Sequence, residues 1–294
     1  MTMNEKDKLD ILIYNICNDS CSKQSKIEKL SMIASEYNIA IDDLFKRYNW
    51  LKDMKIDPNK IHLEENHQQI YKIFDEYNKM LNENNIEYYY TSGILSYLLV
   101  DRNLERYHHD LDVFVNMDDL TKLEQVCNDY NFSFERKLGD REDGTKRIML
   151  KMYYKDIIDI PITVFMYVRE KDNSIIQKDY FIDKNGQSYV EYIYNSPSIS
   201  ELSFSSCPKF HNGIKYYSIT PEALFLCKSE NRPKDIYDCA VFKHIIDINK
   251  LKKLEESFKN NLPNVIMNAE DDEYFNYIFE NNTIKKVLVK NDRL

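Results

Sequence analysis

The sequence predicts an α+β fold, a mixed sheet with helices packed against it, flanked by N-terminal and C-terminal helical extensions. Three observations carry this prediction. The first sixty or so residues and the stretch after 249 show apolar residues at helical spacing. Between them, short runs rich in Val, Ile, Tyr and Phe alternate with amphipathic stretches. Turn signals at Lys184-Asn-Gly186 and Asn212-Gly213 mark hairpins among those runs. The expected organisation is a helical region over 1–64, a central domain over 65–248 and a helical extension over 249–294.

The elements follow in order. Leu9, Ile11, Leu12 and Ile16 keep helical spacing, and Ser25-Lys-Ile-Glu28 has capping-box form ahead of Leu30, Ile33, Ala34 and Tyr37. With Asn38 and residues 39–50 this pair has the outline of a helix-turn-helix. Lysines and arginines there are balanced by acids, so a helical lid or substrate-side module is preferred to a DNA-binding element. Asp57-Pro58 punctuates the end, and 68–81 reads as an amphipathic helix through Ile70, Ile73, Phe74, Tyr77 and Met80. A strand over 86–90 runs into Thr91-Ser92-Gly93 and a helix over 94–100. After a strand through 111–115, residues 118–130 read as a helix capped by Asn116 or Asp118. Residues 132–138 read as a strand, 139–144 as a charged turn and 146–168 as a hairpin broken at Lys155-Asp156. Thr220 reads as an N-cap with Pro221 at the first helical position, placing Ala223, Leu224, Leu226 and Cys227 inward and Lys228 at the far end. A second helix starts near Pro233; 250–259 and 272–280 read as helices.

The chemistry concentrates in Arg106-Tyr-His-His-Asp-Leu-Asp-Val-Phe-Val115. Strand alternation sends Asp110 and Asp112 to one face and Leu111 to the other. Two adjacent carboxylates raise each other's pKa unless a cation intervenes. Oxygen-only ligation of this kind suits Mg²⁺, which takes one or two protein carboxylates and completes its shell with water and phosphate oxygens, with Mn²⁺ as the alternative. The competing reading is a strand end with two solvated acids. Upstream, the small-residue turn at Ser92-Gly93 opens a helix and presents backbone N–H groups suited to phosphate.

In the order strand, Ser-Gly, helix, Arg, Asp-x-Asp, the chain resembles the nucleotidyltransferase superfamily, whose palm fold is related to that of polymerase β. The form Arg106-x-x-x-Asp110-x-Asp112 looks most like its abortive-infection toxin and antibiotic-modifying branches, which mostly carry Gly-Gly where this chain has Ser92-Gly93. The resemblance spans roughly 87–246 and implies a third carboxylate on a neighbouring strand. Asp159, inside an apolar run, is preferred; Asp156 falls at the turn and differs in strand parity. Pro161 in the same run implies an edge strand or a bulge. The stretch from Ser218 to Asp238 is similar to the later motifs of the toxin-type enzymes, a helix with a Lys and then Arg-x-Lys-Asp-x-x-Asp. That likeness assigns Lys228 to the nucleotide's phosphates and adds Arg232, Lys234 and Asp235 with less certain roles.

The resemblance thus implies a Mg²⁺-dependent transfer of NMP from an NTP by two-metal in-line displacement. Asp110, Asp112 and Asp159 would serve catalysis and metal; Ser92, Gly93, Arg106, Lys228, Arg232 and Lys234 would serve the nucleotide. The acceptor is tRNA, a protein or a small hydroxyl compound such as an antibiotic. His108 and His109 read as supporting residues, and Arg106 reads equally as a structural ion pair. Two alternatives stand: an inactive NTP- or partner-binding member, and a nucleic-acid-binding regulator built on the N-terminal helices.

Composition bounds these readings. The chain has 294 residues, 43% hydrophobic and 30% charged, with 5 Gly, 7 Pro and 23 Tyr; mean hydropathy is −0.60. That is enough to bury a core and leaves little for a Gly-rich nucleotide loop. The net charge of −9 argues against a broad nucleic-acid footprint and for a cationic small molecule or a protein acceptor. The 6 cysteines show no zinc spacing and read as free thiols in a reducing cytoplasm. No run approaches membrane length and no signal peptide is evident.

Overall fold

The computed structural model describes residues 9, 12–13, 15–16, 22–40, 44, 63–141, 143–155, 157–169, 175–193, 196–197, 200–228, 233–259 and 265–268. Helix α1 (Lys23–Glu36) starts from Ser22, whose hydroxyl accepts the backbone N–H of Ser25. The expected cap at Ser25 is therefore one turn late, because Ser22 offers the same oxygen ahead of two good helix formers. Asn38, at φ 51°, ends the helix. The second half of the outlined helix-turn-helix lies outside the described residues apart from Ile39, Ala40 and Leu44.

Helix α2 (Leu63–Glu83) buries Ile70, Ile73, Phe74, Tyr77, Met80 and Leu81, the face its periodicity predicts. Strand β1 (Tyr88–Thr91) passes directly into α3 (Ser92–Leu98), and β2 (Leu111–Asn116) returns antiparallel with Thr91 opposite Asp112. Asn116 caps a 3₁₀ turn leading into α4 (Leu120–Val126), and a second 3₁₀ turn, Cys127–Tyr130, ends the segment expected as one helix. Strands β3 (Phe132–Asp140), β4 (Lys146–Tyr154), β5 (Ile157–Arg169), β6 (Ile175–Ile182) and β7 (Ser188–Ile193) follow. A small hairpin, β8 (Lys209–His211) and β9 (Ile214–Tyr216), turns at Asn212-Gly213 as expected. Helices α5 (Pro221–Cys227), α6 (Pro233–Phe242) and α7 (Ile248–Lys259) precede β10 (Val265–Asn268). No described helix is long and apolar enough to cross a membrane.

The main sheet runs β1-β2-β5-β4-β6-β7-β10, with β3 on β4 and a further β5–β6 pairing. It is mixed, as expected, because β2 and β5 are parallel and the other pairs antiparallel. One expectation is corrected at the C-terminal end. The extension read as helical adds β10 to β7, in line with the β propensity of Val265-Ile-Met. The apolar face carries Tyr88, Tyr90, Leu111, Val113 and Val115, with Tyr90 packed against Phe74 and Tyr77 of α2. Burying that face fixes the register, so the alternate residues Thr91 and Asp112 point to the opposite side. Ser218 and Ile219 cover the free edge of β1 through Tyr90 N–H to Tyr217 O (2.9 Å) and Ile219 N–H to Tyr90 O (3.0 Å).

Candidate active site

Asp112 lies beside Thr91 on β1 and Thr163 on β5, and Thr163 in turn pairs with Lys151 on β4. Paired residues share a face, so these four side chains emerge together on the side away from α2. Ser92, immediately after Thr91, adopts φ 62°, a left-handed conformation that costs a side chain with a Cβ about 1–2 kcal/mol. This explains the physical advantage of glycine there, and why Ser92 is the departure from Gly-Gly. Its hydroxyl helps hold the Asp112 carboxyl down. Gly93 has no such latitude: a Cβ on it would lie 2.5 Å from Arg106 Nη2 and 3.1 Å from His108 Nδ1.

A cleft of about 250 Å³ opens here, lined by Ser92, Gly93, Arg106, His108, His109, Asp110 and Asp112 on one side and by residues of α5 and α6, including Lys228, Lys234, Asp235 and Asp238, on the other. Burial and the neighbouring Asp110 carboxylate push Asp112 up to about 6, against the Ser92 and Thr163 hydroxyls and the Lys151 ammonium, which hold it down. Such a pair is an under-neutralised anionic site, and its hard oxygen donors suit a divalent cation completed by water and phosphate oxygens. Among the described residues no third His, Cys, Asp or Glu joins the pair in a metal-binding group.

Asp110 and Asp112 come together; Asp159 is exposed and outside the cleft lining. Its strand explains why. The β4–β5 register shifts from Met152↔Ile162 to Tyr154↔Ile157, so extra β5 residues bow out between Ile157 and Ile162. Pro161 sits in that irregular stretch, which fits the expected bulge, while β5 lies inside the sheet rather than at its edge. Asp159 nevertheless remains close to Tyr107, whose hydroxyl is pushed up by burial and then by Asp159 and Asp110.

Two cations named from sequence are tied down in ion pairs at the cleft wall. Arg106 donates Nε and Nη2 to the two carboxylate oxygens of Asp238 (2.7 and 2.8 Å) and Nη1 to Tyr107 O (2.7 Å). Lys228 donates to Asp238 at 2.6 Å and stands 3.7 Å from Asp235. All four side chains are almost fully buried. Asp238 is shared by both cations, so removing it strands two buried charges. Lys234 lines the cleft; Arg232 lies outside the described residues. Cys227, expected inward, is exposed, and Glu222 takes a buried position instead, accepting from Asp247 N–H at 2.8 Å.

Sequence reasoning missed the supports. Asn66 clamps His108 through Nδ2 to the carbonyl (2.9 Å) and Oδ1 from the N–H (3.0 Å), while His67 Nε2 meets Arg106 O at 2.7 Å. These contacts fix the loop leading into Asp110, and the only signal for them is polarity at the start of an amphipathic helix. His108 is buried against Tyr97, and burial and then the Arg106 charge lower its pKa well below the usual value, so it is neutral. His109 is exposed.

No family model matches the chain, and no curated protein matches it. Among solved structures it is similar to the antibiotic-resistance factor ANT(2'')-Ia in solution (TM-score 0.41, 13% identity, covering 67% of this chain and 93% of that one). It is also similar to ANT(2'')-Ia in complex with adenylyl-2''-tobramycin (0.41, 13%, 65% and 97%). A third is the lincosamide antibiotic adenylyltransferase LnuA with lincomycin bound (0.37, 19%, 64% and 96%).

Proposed function

We propose that the chain is a nucleotidyltransferase that moves a nucleoside monophosphate from an NTP to a hydroxyl of a small cationic acceptor. The observation that carries this reading is the Asp110–Asp112 pair, set on one strand face against the Ser92-Gly93 turn and sharing one cleft with Lys228. Asp110 and Asp112 would hold Mg²⁺, or Mn²⁺, which supplies charge neutralisation for the triphosphate. Ser92 and Gly93 line the same cleft, where the Ser92 hydroxyl and the Gly93 N–H would suit phosphate oxygens. Lys228, already shared with Asp238, adds positive charge on the opposite wall, and Lys234 contributes from α6. Arg106 acts from below, bracing Asp238 and the Gly93 turn.

In the transfer, the acceptor oxygen forms a bond to the α-phosphorus as the bond to the bridging oxygen breaks and pyrophosphate leaves. The hydroxyl proton passes to water. The small cationic acceptor is favoured by the net charge of −9 and by the acids lining the cleft, Asp110 and Asp112. The catalytic domain corresponds to 65–248 extended by α7 and β10, which adds to its sheet, with 1–64 as a flank. The test is transfer of α-³²P label from each of the four NTPs with Mg²⁺ to an aminoglycoside, a lincosamide, bulk tRNA or the protein itself. Label on a small amine-bearing acceptor, lost in Asp110→Asn, is the expected result. Label on tRNA or protein would keep the transferase and reject this acceptor; no transfer to any of them would count against the reading as a whole.

A further inference from the structure

The side of Asp112 facing away from the Ser92 turn bears a built-in cation. Thr163 occupies the neighbouring strand position on the same face, where its hydroxyl helps hold the Asp112 carboxyl down, and Lys151 Nζ donates to Thr163 Oγ1 at 2.5 Å. Lys151 and Thr163 are register partners, so the backbone ladder itself sets this contact. The Lys151 ammonium thus stands one hydroxyl away from the Asp112 carboxylate. A pair of catalytic dications sits about 3.5–4 Å apart and shares its carboxylates, so a second ion beside Asp112 needs further anionic oxygens on that side. Thr163 has none to offer. Asp159 lies four residues from Thr163 along a strand that advances about 3.3 Å per residue, and the bulge turns it to solvent.

We propose that Lys151 is a positioning residue that, through Thr163, holds the rear of Asp112, and that Asp110 and Asp112 accordingly take one divalent cation per chain. This rests on the transferase reading and replaces its two-metal form with a single ion on the cleft side, balanced behind by a fixed ammonium. Lys151 also lowers the affinity for that ion. In a medium close to water, a unit positive charge on the far side of the carboxylate repels a dication enough to weaken binding by up to about tenfold.

The test is equilibrium dialysis of the full chain against Mn²⁺, alone and with inorganic tripolyphosphate, counting retained metal and measuring affinity. The wild type should hold one Mn²⁺ per chain in both conditions. Lys151→Met should hold one with about tenfold tighter binding, and Lys151→Arg should restore the wild-type value, a rescue that simple packing would not produce. The double variant Lys151→Met/Thr163→Asp should hold two in the presence of tripolyphosphate. Two ions in the wild type, or Lys151→Met binding with unchanged affinity, would overturn the inference and leave the transferase reading standing. No retained Mn²⁺ in folded wild type would overturn both.

Discussion

Replacing Asp112 by Asn should stabilise the metal-free protein while abolishing its function. Burial and Asp110 push the Asp112 carboxylate from 3.8 up to about 6, so its charged form is costly in the folded state. At about 1.36 kcal/mol per pH unit, that displacement sets a ceiling of about 3 kcal/mol. Relaxation and water at the cleft reduce this, and the expected gain is about 1–2 kcal/mol near neutral pH. The sign follows from proton binding. Between about pH 4 and 6 the folded wild type holds a proton that the unfolded chain has released, so its stability falls as pH rises through that window. The Asp112→Asn variant lacks that slope, and its amide oxygen can still accept from Ser92 and Thr163. Urea denaturation in a chelator at pH 4, 5, 6 and 7.5 measures it. The variant should match the wild type near pH 4 and exceed it at 7.5, and adding Mg²⁺ should stabilise the wild type alone. A variant less stable than wild type at pH 7.5, or a stability difference independent of pH, would refute the claim that the carboxylate pair is electrostatically strained.

Asp238→Ala leaves Arg106 and Lys228 buried without their shared carboxylate and should cost about 3–5 kcal/mol in denaturant unfolding; a cost below about 1 kcal/mol would mean the cluster is solvated. At the turn, Ser92→Val forces a β-branched residue into the left-handed region and should destabilise by at least about 1–2 kcal/mol, whereas Ser92→Gly should stay within about 1 kcal/mol of wild type. Asn66→Ala removes both hydrogen bonds to the His108 backbone and should cost about 1–3 kcal/mol. Hydrogen exchange should then show the 104–110 loop opening more readily. Gly93→Ala places a methyl against Arg106 and should destabilise by about 1–3 kcal/mol, visible as a lowered melting temperature.

What was legible in the sequence was local. The Asp-x-Asp strand, the Thr220 cap with Pro221, and the Asn212-Gly213 hairpin each depend on neighbouring residues, and each appears where its pattern predicts. Thr220 accepts the Ala223 N–H as a cap should. What was not legible depends on partners far apart in the chain. Arg106 meets Asp238 across 132 positions and Asn66 meets His108 across 42, and neither contact leaves a periodic trace. Asp159 falls outside the cleft lining for another reason: alternation assumes an unbroken ladder, and the register shift around Pro161 breaks it. Lys151 and Thr163 were overlooked because a lysine in a half-buried strand of a hairpin reads as solvated until the register puts it beside Thr163.

The central claim is that Asp110 and Asp112 form a metal-dependent nucleotide site. Calorimetric titration of ATP, GTP, CTP and UTP with Mg²⁺ into wild type and Asp110→Asn/Asp112→Asn tests it most directly, with circular dichroism confirming that both are folded. At least one NTP should bind the wild type only when Mg²⁺ is present, and the double variant should not bind it. Equal binding to both proteins, or no NTP binding to folded wild type, would contradict it.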